Sequence, residues 1–250
     1  MRLDRIIAVR SRKTVFRDGD YTAKVFDADY SKVSVLNEAQ NLAKIETTGL
    51  QVPELIGVIQ IDGKWSIVSR YIPGKSLSRL MKENPAESDA YLERMVRLQL
   101  QLYAIECPLL NRLSDVLLQK LRQAPLEPAE TAALYTWLEG LEKQTTICHG
   151  DFCPSNIIIT PENEAYIIDW SYAAQGSPEA DIARTYLVLL LQGNPDLAKR
   201  YLDRVCNLGG ISGQTVQLWL PVVAAAQAAR GIPEEQALLR TFIRMAVQEN

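Results

Sequence analysis

The chain has 250 residues, of which 47% are hydrophobic, and a formal net charge of −3. That is enough apolar material for a sizeable core in one large domain or two lobes, and the slight negative balance gives no general attraction to nucleic acid or an anionic membrane. Residues 1–13 are too interrupted for a signal peptide, and the apolar stretch 218–226 is broken by Pro221 and far short of the roughly 20 residues of a spanning helix, so a soluble, cytoplasmic protein is expected.

Residues 5–26 alternate as a run of strands, with 14–17 and 21–26 separated by Asp18-Gly19-Asp20, a strong hairpin signal. Lys24, between Ala23 and Val25, is a polar break in a run suited to burial; taken alone it reads as an edge lysine facing water. From 31 to 46 the apolar residues Val35, Leu36, Ala39, Leu42, Ala43 and Ile45 follow helical spacing, and Gly49 is a suitable stop. Glu38 falls on or beside that apolar stripe, where an acidic side chain wants a cation, and Lys24 is the natural partner. Val52-Pro53 then leads into strands 54–60 and 65–72 around Asp62-Gly63, closing a small antiparallel sheet with one helix, and Pro73-Gly74 punctuates its end.

Beyond Gly74 the pattern becomes helical, over 77–82, 88–105, 113–123 and 129–143, with breaks at Pro85, Pro108, Pro125 and Pro128. Tyr91, Met95, Leu98 and Leu102 form a stripe best read as core. Asp181 precedes an apolar helix at 182–192, whose amides it could cap, and helices follow at 197–208, 216–230 and 234–248.

Between these helical blocks lies ICHGDFCPSNIIITPENEAYIIDW, residues 147–170. The runs Ile157-Ile158-Ile159 and Tyr166-Ile167-Ile168 predict two short strands of a hairpin turned at 160–164. Asp151 and Asn156 stand five positions apart across Pro154, so they share a loop rather than a helix, and Asp169 returns from the hairpin toward the same point. One carboxylate there can accept a proton from an attacking hydroxyl, while an amide oxygen and a second carboxylate are hard ligands for Mg²⁺ on a nucleotide phosphate. A hairpin with a merely capped loop is the plainer reading. His149 is the chain's single histidine and reads as a structural hydrogen-bonder. Cys148 and Cys153 flank the loop and with His149 raise zinc as an alternative, but a fourth ligand is missing; with Cys107 and Cys206 they are expected as reduced thiols.

The pattern His149-Gly150-Asp151, Asn156 and Ile168-Asp169-Trp170 resembles the aminoglycoside phosphotransferase and choline kinase-like family of small-molecule kinases. The resemblance implies an α+β, two-lobed protein-kinase-like fold, with a nucleotide-binding lobe at 1–73 and a catalytic and acceptor-binding lobe at 74–250. It implies Asp151 as catalytic base, Asn156 and Asp169 as magnesium ligands, His149 and Asp181 as braces of the loop, and ATP or GTP as co-substrate. Lys24 would grip the α- and β-phosphates with Glu38 positioning it, and the backbone of Arg70-Tyr71-Ile72 would pair with the adenine edge. The segment expected to cover the phosphates, Val9-Arg10-Ser11-Arg12-Lys13-Thr14, has no glycine, so serine hydroxyls and backbone amides would have to serve.

Only 12 positions separate Asp169 from Asp181, leaving no room for a regulated activation segment and favouring a small-molecule hydroxyl acceptor over a protein. Trp170, Tyr172 and Trp219 could face a cationic amine through their rings, and Glu179, Glu234 or Glu235 could attract one. Aminoglycosides, choline-like amines, sugars and amino alcohols all remain open as acceptors. Two other classes stand beside this reading: a non-catalytic pseudokinase-type nucleotide-binding module, favoured by the glycine-free loop, and a kinase acting on protein.

Overall fold

A computed structural model describes residues 3, 5–10 and 12–248, the last by its backbone only. Ser11, one of the expected phosphate-covering residues, lies outside the described residues. In chain order the elements are β1 (Arg5–Arg10), β2 (Lys13–Asp18), β3 (Tyr21–Phe26), α1 (Lys32–Glu46), β4 (Leu55–Ile61), β5 (Lys64–Arg70), β6 (Lys75–Ser76) and α2 (Leu77–Glu83). There follow α3 (Ser88–Tyr103), α4 (Leu113–Leu121), α5 (Pro128–Gly140), β7 (Thr146–Cys148), β8 (Ile157–Ile159), β9 (Ala165–Ile167) and β10 (Ala174–Gly176). The chain ends with α6 (Pro178–Leu191), α7 (Pro195–Gly209), α8 (Gly213–Ala228) and α9 (Gln236–Gln248).

The chain folds as two compact units, the first built from the described residues of Met1–Pro85 with Pro154–Tyr172, the second from Ala86–Cys153 with those of Ala173–Asn250. By contact the hairpin carrying Asn156 and Asp169 groups with the N-terminal sheet.

In the first unit the sheet runs β1-β2-β3-β5-β4, antiparallel throughout. The β4–β5 turn puts Asp62 at φ 49° and Gly63 at φ 75°, the left-handed pair that a tight hairpin needs. Ser31 caps α1, its Oγ accepting from the Ser34 amide at 3.4 Å. The helix packs through Val35 and Ala39 on Phe26 and Ile67, with Tyr30, Leu55, Val58 and Trp65 around them. β6, β8 and β9 form a second small sheet in the same unit. Gly74 allows it, because a Cβ there would meet the Ile159 carbonyl oxygen at 2.2 Å.

The second unit is mainly helical, with β7 and β10 paired antiparallel as its one two-stranded sheet among the described residues. The buried face of α3 is Leu92, Met95, Val96, Gln99 and Leu102. It is rotated from the expected stripe, leaving Tyr91 and Leu98 half-buried and drawing in a polar residue, Gln99. Pro221 does not break the chain: α8 runs through it, burying Trp219, Leu220, Pro221, Val222 and Val223. Packing on the neighbouring helices outweighs the one amide donor that proline lacks. No helix among the described residues is long and apolar enough to cross a membrane.

Candidate active site

In the first unit, β2 pairs with β3 so that Lys13 stands opposite Phe26 and Val15 opposite Lys24. Side chains alternate along a strand, so Lys13 and Lys24 are diagonal neighbours on one face, the face that α1 covers. Lys24 Nζ donates to Glu38 on α1 and, at 3.1 Å, to Asp169 Oδ1. Lys13 Nζ reaches the same carboxylate at 3.1 and 3.2 Å and lies 3.9 Å from Glu38 Oε2. The solvated edge lysine is therefore excluded: Lys24 is enclosed, and the cation that Glu38 wants is present twice.

Asp169 reaches this cluster because hairpin β8–β9 delivers it. Ile157 pairs with Ile167, and the Ile168 amide donates to the Asn156 carbonyl at 2.9 Å, so Asn156 and Asp169 stand at the same end of the hairpin. Asp169 adopts φ 65°, a left-handed conformation that costs a non-glycine residue strain and that clusters at functional sites. The segment is pinned from α1 by Asn41, one turn after Glu38, whose amide donates to the Trp170 carbonyl at 3.2 Å. Ser171 Oγ adds a further hydrogen bond to the carboxylate. Burial alone would push the Asp169 carboxyl up, yet Lys24 and Lys13 hold it far below the usual carboxylate range. Burial would likewise lower the Lys24 ammonium, and Asp169 and Glu38 more than reverse that.

Of the expected hinge, Arg70 is exposed and pairs with Glu54 at 3.2 Å. The Arg70 amide donates to the Glu54 carbonyl and the Tyr71 amide to the Asp20 carbonyl, both at 2.8 Å.

The second unit holds His149, Gly150 and Asp151 directly after β7. His149 is fully buried; its Nδ1 accepts from the Asp151 amide at 3.2 Å and its ring meets Phe152 edge-on at 5.6 Å. Gly150 sits at φ 77°, which a side chain would strain. Asp181 does not cap a helix start: α6 begins earlier, at Pro178, so Asp181 is already inside the first turn. Its Oδ1 accepts instead from the Gly150 amide at 2.7 Å, and its Oδ2 from Gln99 Nε2 and Tyr103 OH at 3.1 Å each. Gln99 also accepts from Tyr201 OH at 2.6 Å, and Arg184 Nε donates to the Gly150 carbonyl at 3.1 Å. Both backbone polar groups of Gly150 are thus held.

The candidate acceptor residues fare unevenly. Trp170 and Trp219 are 2% and 3% exposed, so neither ring face is open to a cationic amine, whereas Tyr172 is exposed. Glu235 accepts from Gln227, and Glu234 is exposed. No group of three or more His, Cys, Asp or Glu side chains among the described residues is placed to hold a metal. The oxygens of Asn156 and Asp169 do fit a hard cation such as magnesium by donor chemistry.

The fold is that of the protein-kinase-like small-molecule kinases. A ternary complex of a thermostable mutant of aminoglycoside phosphotransferase APH(4)-Ia with ADP and hygromycin B superposes with a TM-score of 0.68 at 15% identity, covering 97% of this chain and 92% of that one. Choline kinase LicA from Streptococcus pneumoniae gives 0.63 at 13%, covering 99% and 95%. In sequence, an aminoglycoside 3'-phosphotransferase from Streptomyces ribosidificus is 27% identical over 186 residues, 67% of this chain and 70% of the relative. The model of the APH phosphotransferase enzyme family matches residues 5–214. The chain belongs to that family, and is by class a small-molecule kinase acting on hydroxyl groups.

Proposed function

We propose that the protein transfers the γ-phosphate of ATP or GTP to a hydroxyl of a small molecule, with residues 1–73 as its nucleotide-binding part and 74–250 as its catalytic and acceptor-binding part. The observation that carries this is the bridging of Glu38 and Asp169 by Lys24, an arrangement that suits a metal-bound polyphosphate. In the reaction Asp151 accepts the proton of the acceptor hydroxyl as its oxygen attacks the γ-phosphorus. The bond from that phosphorus to the β–γ bridging oxygen breaks, and the nucleoside diphosphate leaves. Lys24, oriented by Glu38, binds the α- and β-phosphates. Asn156 and Asp169 would hold magnesium, whose charge offsets that of the phosphate oxygens. With the Arg70 and Tyr71 amides engaged, the adenine edge falls to the Ile72 amide and the carbonyls of Arg70-Tyr71-Ile72. His149 and Asp181 brace the loop that carries Asp151. A cellular nucleotide pool as phosphate source implies a cytoplasmic protein.

Because two of three candidate aromatic rings are buried, no cation cage defines the acceptor. Aminoglycosides and choline-like amines, the substrate classes for which the relatives above are named, together with sugars and amino alcohols form the panel to be tried. The test is phosphate transfer from Mg²⁺-ATP and Mg²⁺-GTP to that panel, with Asp151→Asn as control. The variant should fold normally and turn over about 10² to 10⁴-fold more slowly; near-normal turnover would remove Asp151 as base. Absence of any nucleotide-dependent thermal shift in the wild type would instead favour a binding module of another kind.

A further inference from the structure

We propose that Lys13 is a second phosphate-binding cation of the nucleotide site, resting on Asp169 when no nucleotide is bound and passing to the β- and γ-phosphate oxygens when a divalent ion takes that carboxylate. The proposal rests on the reading of Asp169 as a metal ligand and deepens it.

A phosphate-covering loop ordinarily works through glycine amides that approach the phosphates closely. Between Val9 and Thr14 there is no glycine, so side chains keep the backbone back, and any compensating charge must reach in on a side chain. The segment offers three basic residues. Arg10 is exposed, its guanidinium turned to the Val9 carbonyl. Arg12 is committed to Asp29 at 2.6 Å and Asp27 at 3.4 Å and lies over the Tyr30 ring. Lys13 alone among them points to Asp169 and Glu38, with 18% of its side chain exposed.

Charge explains why two lysines are needed. Glu38 and Asp169 with Lys24 alone would leave a net negative site, which repels a polyphosphate; Lys13 brings the cluster to neutrality. A divalent ion on Asp169 makes one ammonium redundant there. Lys24 keeps Glu38 as its partner, whereas Lys13 is 3.9 Å from Glu38 and is the one free to move to the incoming phosphate. An ammonium on a flexible four-carbon stem suits such an exchange.

The test uses the full chain as wild type, Lys13→Gln and Lys13→Arg, with Mn²⁺ affinity measured alone by electron paramagnetic resonance and adenosine and Mg²⁺-ADP affinities by calorimetry. Loss of a charge-assisted hydrogen bond should make Lys13→Gln bind Mg²⁺-ADP roughly 10-fold or more weakly, with adenosine unchanged and Mn²⁺ alone bound severalfold more tightly. Lys13→Arg should keep the wild-type ADP affinity. Unchanged ADP and Mn²⁺ affinities in Lys13→Gln, or a change in one without the other, would overturn the exchange. A wild type that binds neither adenosine nor ADP would overturn the nucleotide reading itself, an outcome distinct from the failure of Lys13.

Discussion

Asp169 in the first unit and Asp181 in the second are both carboxylates drawn away from water, and they are satisfied by different chemistry. Asp169 keeps 21% of its side chain exposed and is matched by two ammonium groups on flexible stems. Asp181 is 1% exposed and is matched by neutral donors, the Gly150 amide, the Gln99 amide and the Tyr103 hydroxyl. Cations on long side chains can leave when another cation arrives. A backbone amide and side chains rooted in a packed helix cannot, so Asp181 fixes a loop while Asp169 is poised to change partners.

Removal of the fixed carboxylate should have the largest effect on stability. Asp181→Ala removes the acceptor of the Gly150 amide, of the Tyr103 hydroxyl and of one Gln99 N–H, for an expected loss of about 3–5 kcal/mol in urea denaturation; a loss below about 1 kcal/mol would mean the network does not hold the loop. Gln99→Leu should come next, at about 1–3 kcal/mol, because it removes the acceptor of the Tyr201 hydroxyl and one of the two donors to Asp181 Oδ2 while filling a similar volume. Asp169→Asn should cost only about 1 kcal/mol, since Lys24 and Lys13 still have Glu38 and the amide oxygen of the new side chain can accept from one of them. If Asp169→Asn proved as damaging as Asp181→Ala, the contrast between exchangeable and fixed carboxylates would collapse.

Much of this was legible in the sequence where local signals are strong. Asp18-Gly19-Asp20 and Asp62-Gly63 announced their hairpins, the two Ile-rich runs announced β8 and β9, and Glu38 on an apolar stripe called for Lys24. What escaped depended on register and rotation. Lys13 looks like one of several basic loop residues until strand pairing places it diagonal to Lys24 on the covered face. Gln99 and Tyr103 lie outside the stripe read from the sequence, because a modest rotation of α3, set by tertiary packing, decides which side is buried. β7 and β10 are three residues each, too short for any periodicity to show. Trp170 and Trp219 looked like ring faces for a ligand, but large apolar area is more often spent on the core.

The smallest expected effect is also the one that tests the charge cluster most directly, the dependence of its stability on pH. Lys24 and Lys13 hold the Asp169 carboxyl below its ordinary value despite burial, so the folded state binds that proton more weakly than the unfolded chain. The stability this lends is present above the unfolded value, roughly pH 4, and is lost as pH falls toward the folded one. For Lys24 the sign reverses: Asp169 and Glu38 raise its ammonium against the effect of burial, so its contribution is present below roughly pH 10 and is lost as pH rises through the folded value. Both contributions are therefore constant across roughly pH 5 to 9. The stability gap between wild type and Asp169→Asn should stay level over that window and narrow below about pH 4, as the wild type loses the ion pairs that the variant never had. A gap that already narrows near pH 6 would show that the two lysines do not stabilise the Asp169 carboxylate, and the contrast with Asp181 would lose its electrostatic half.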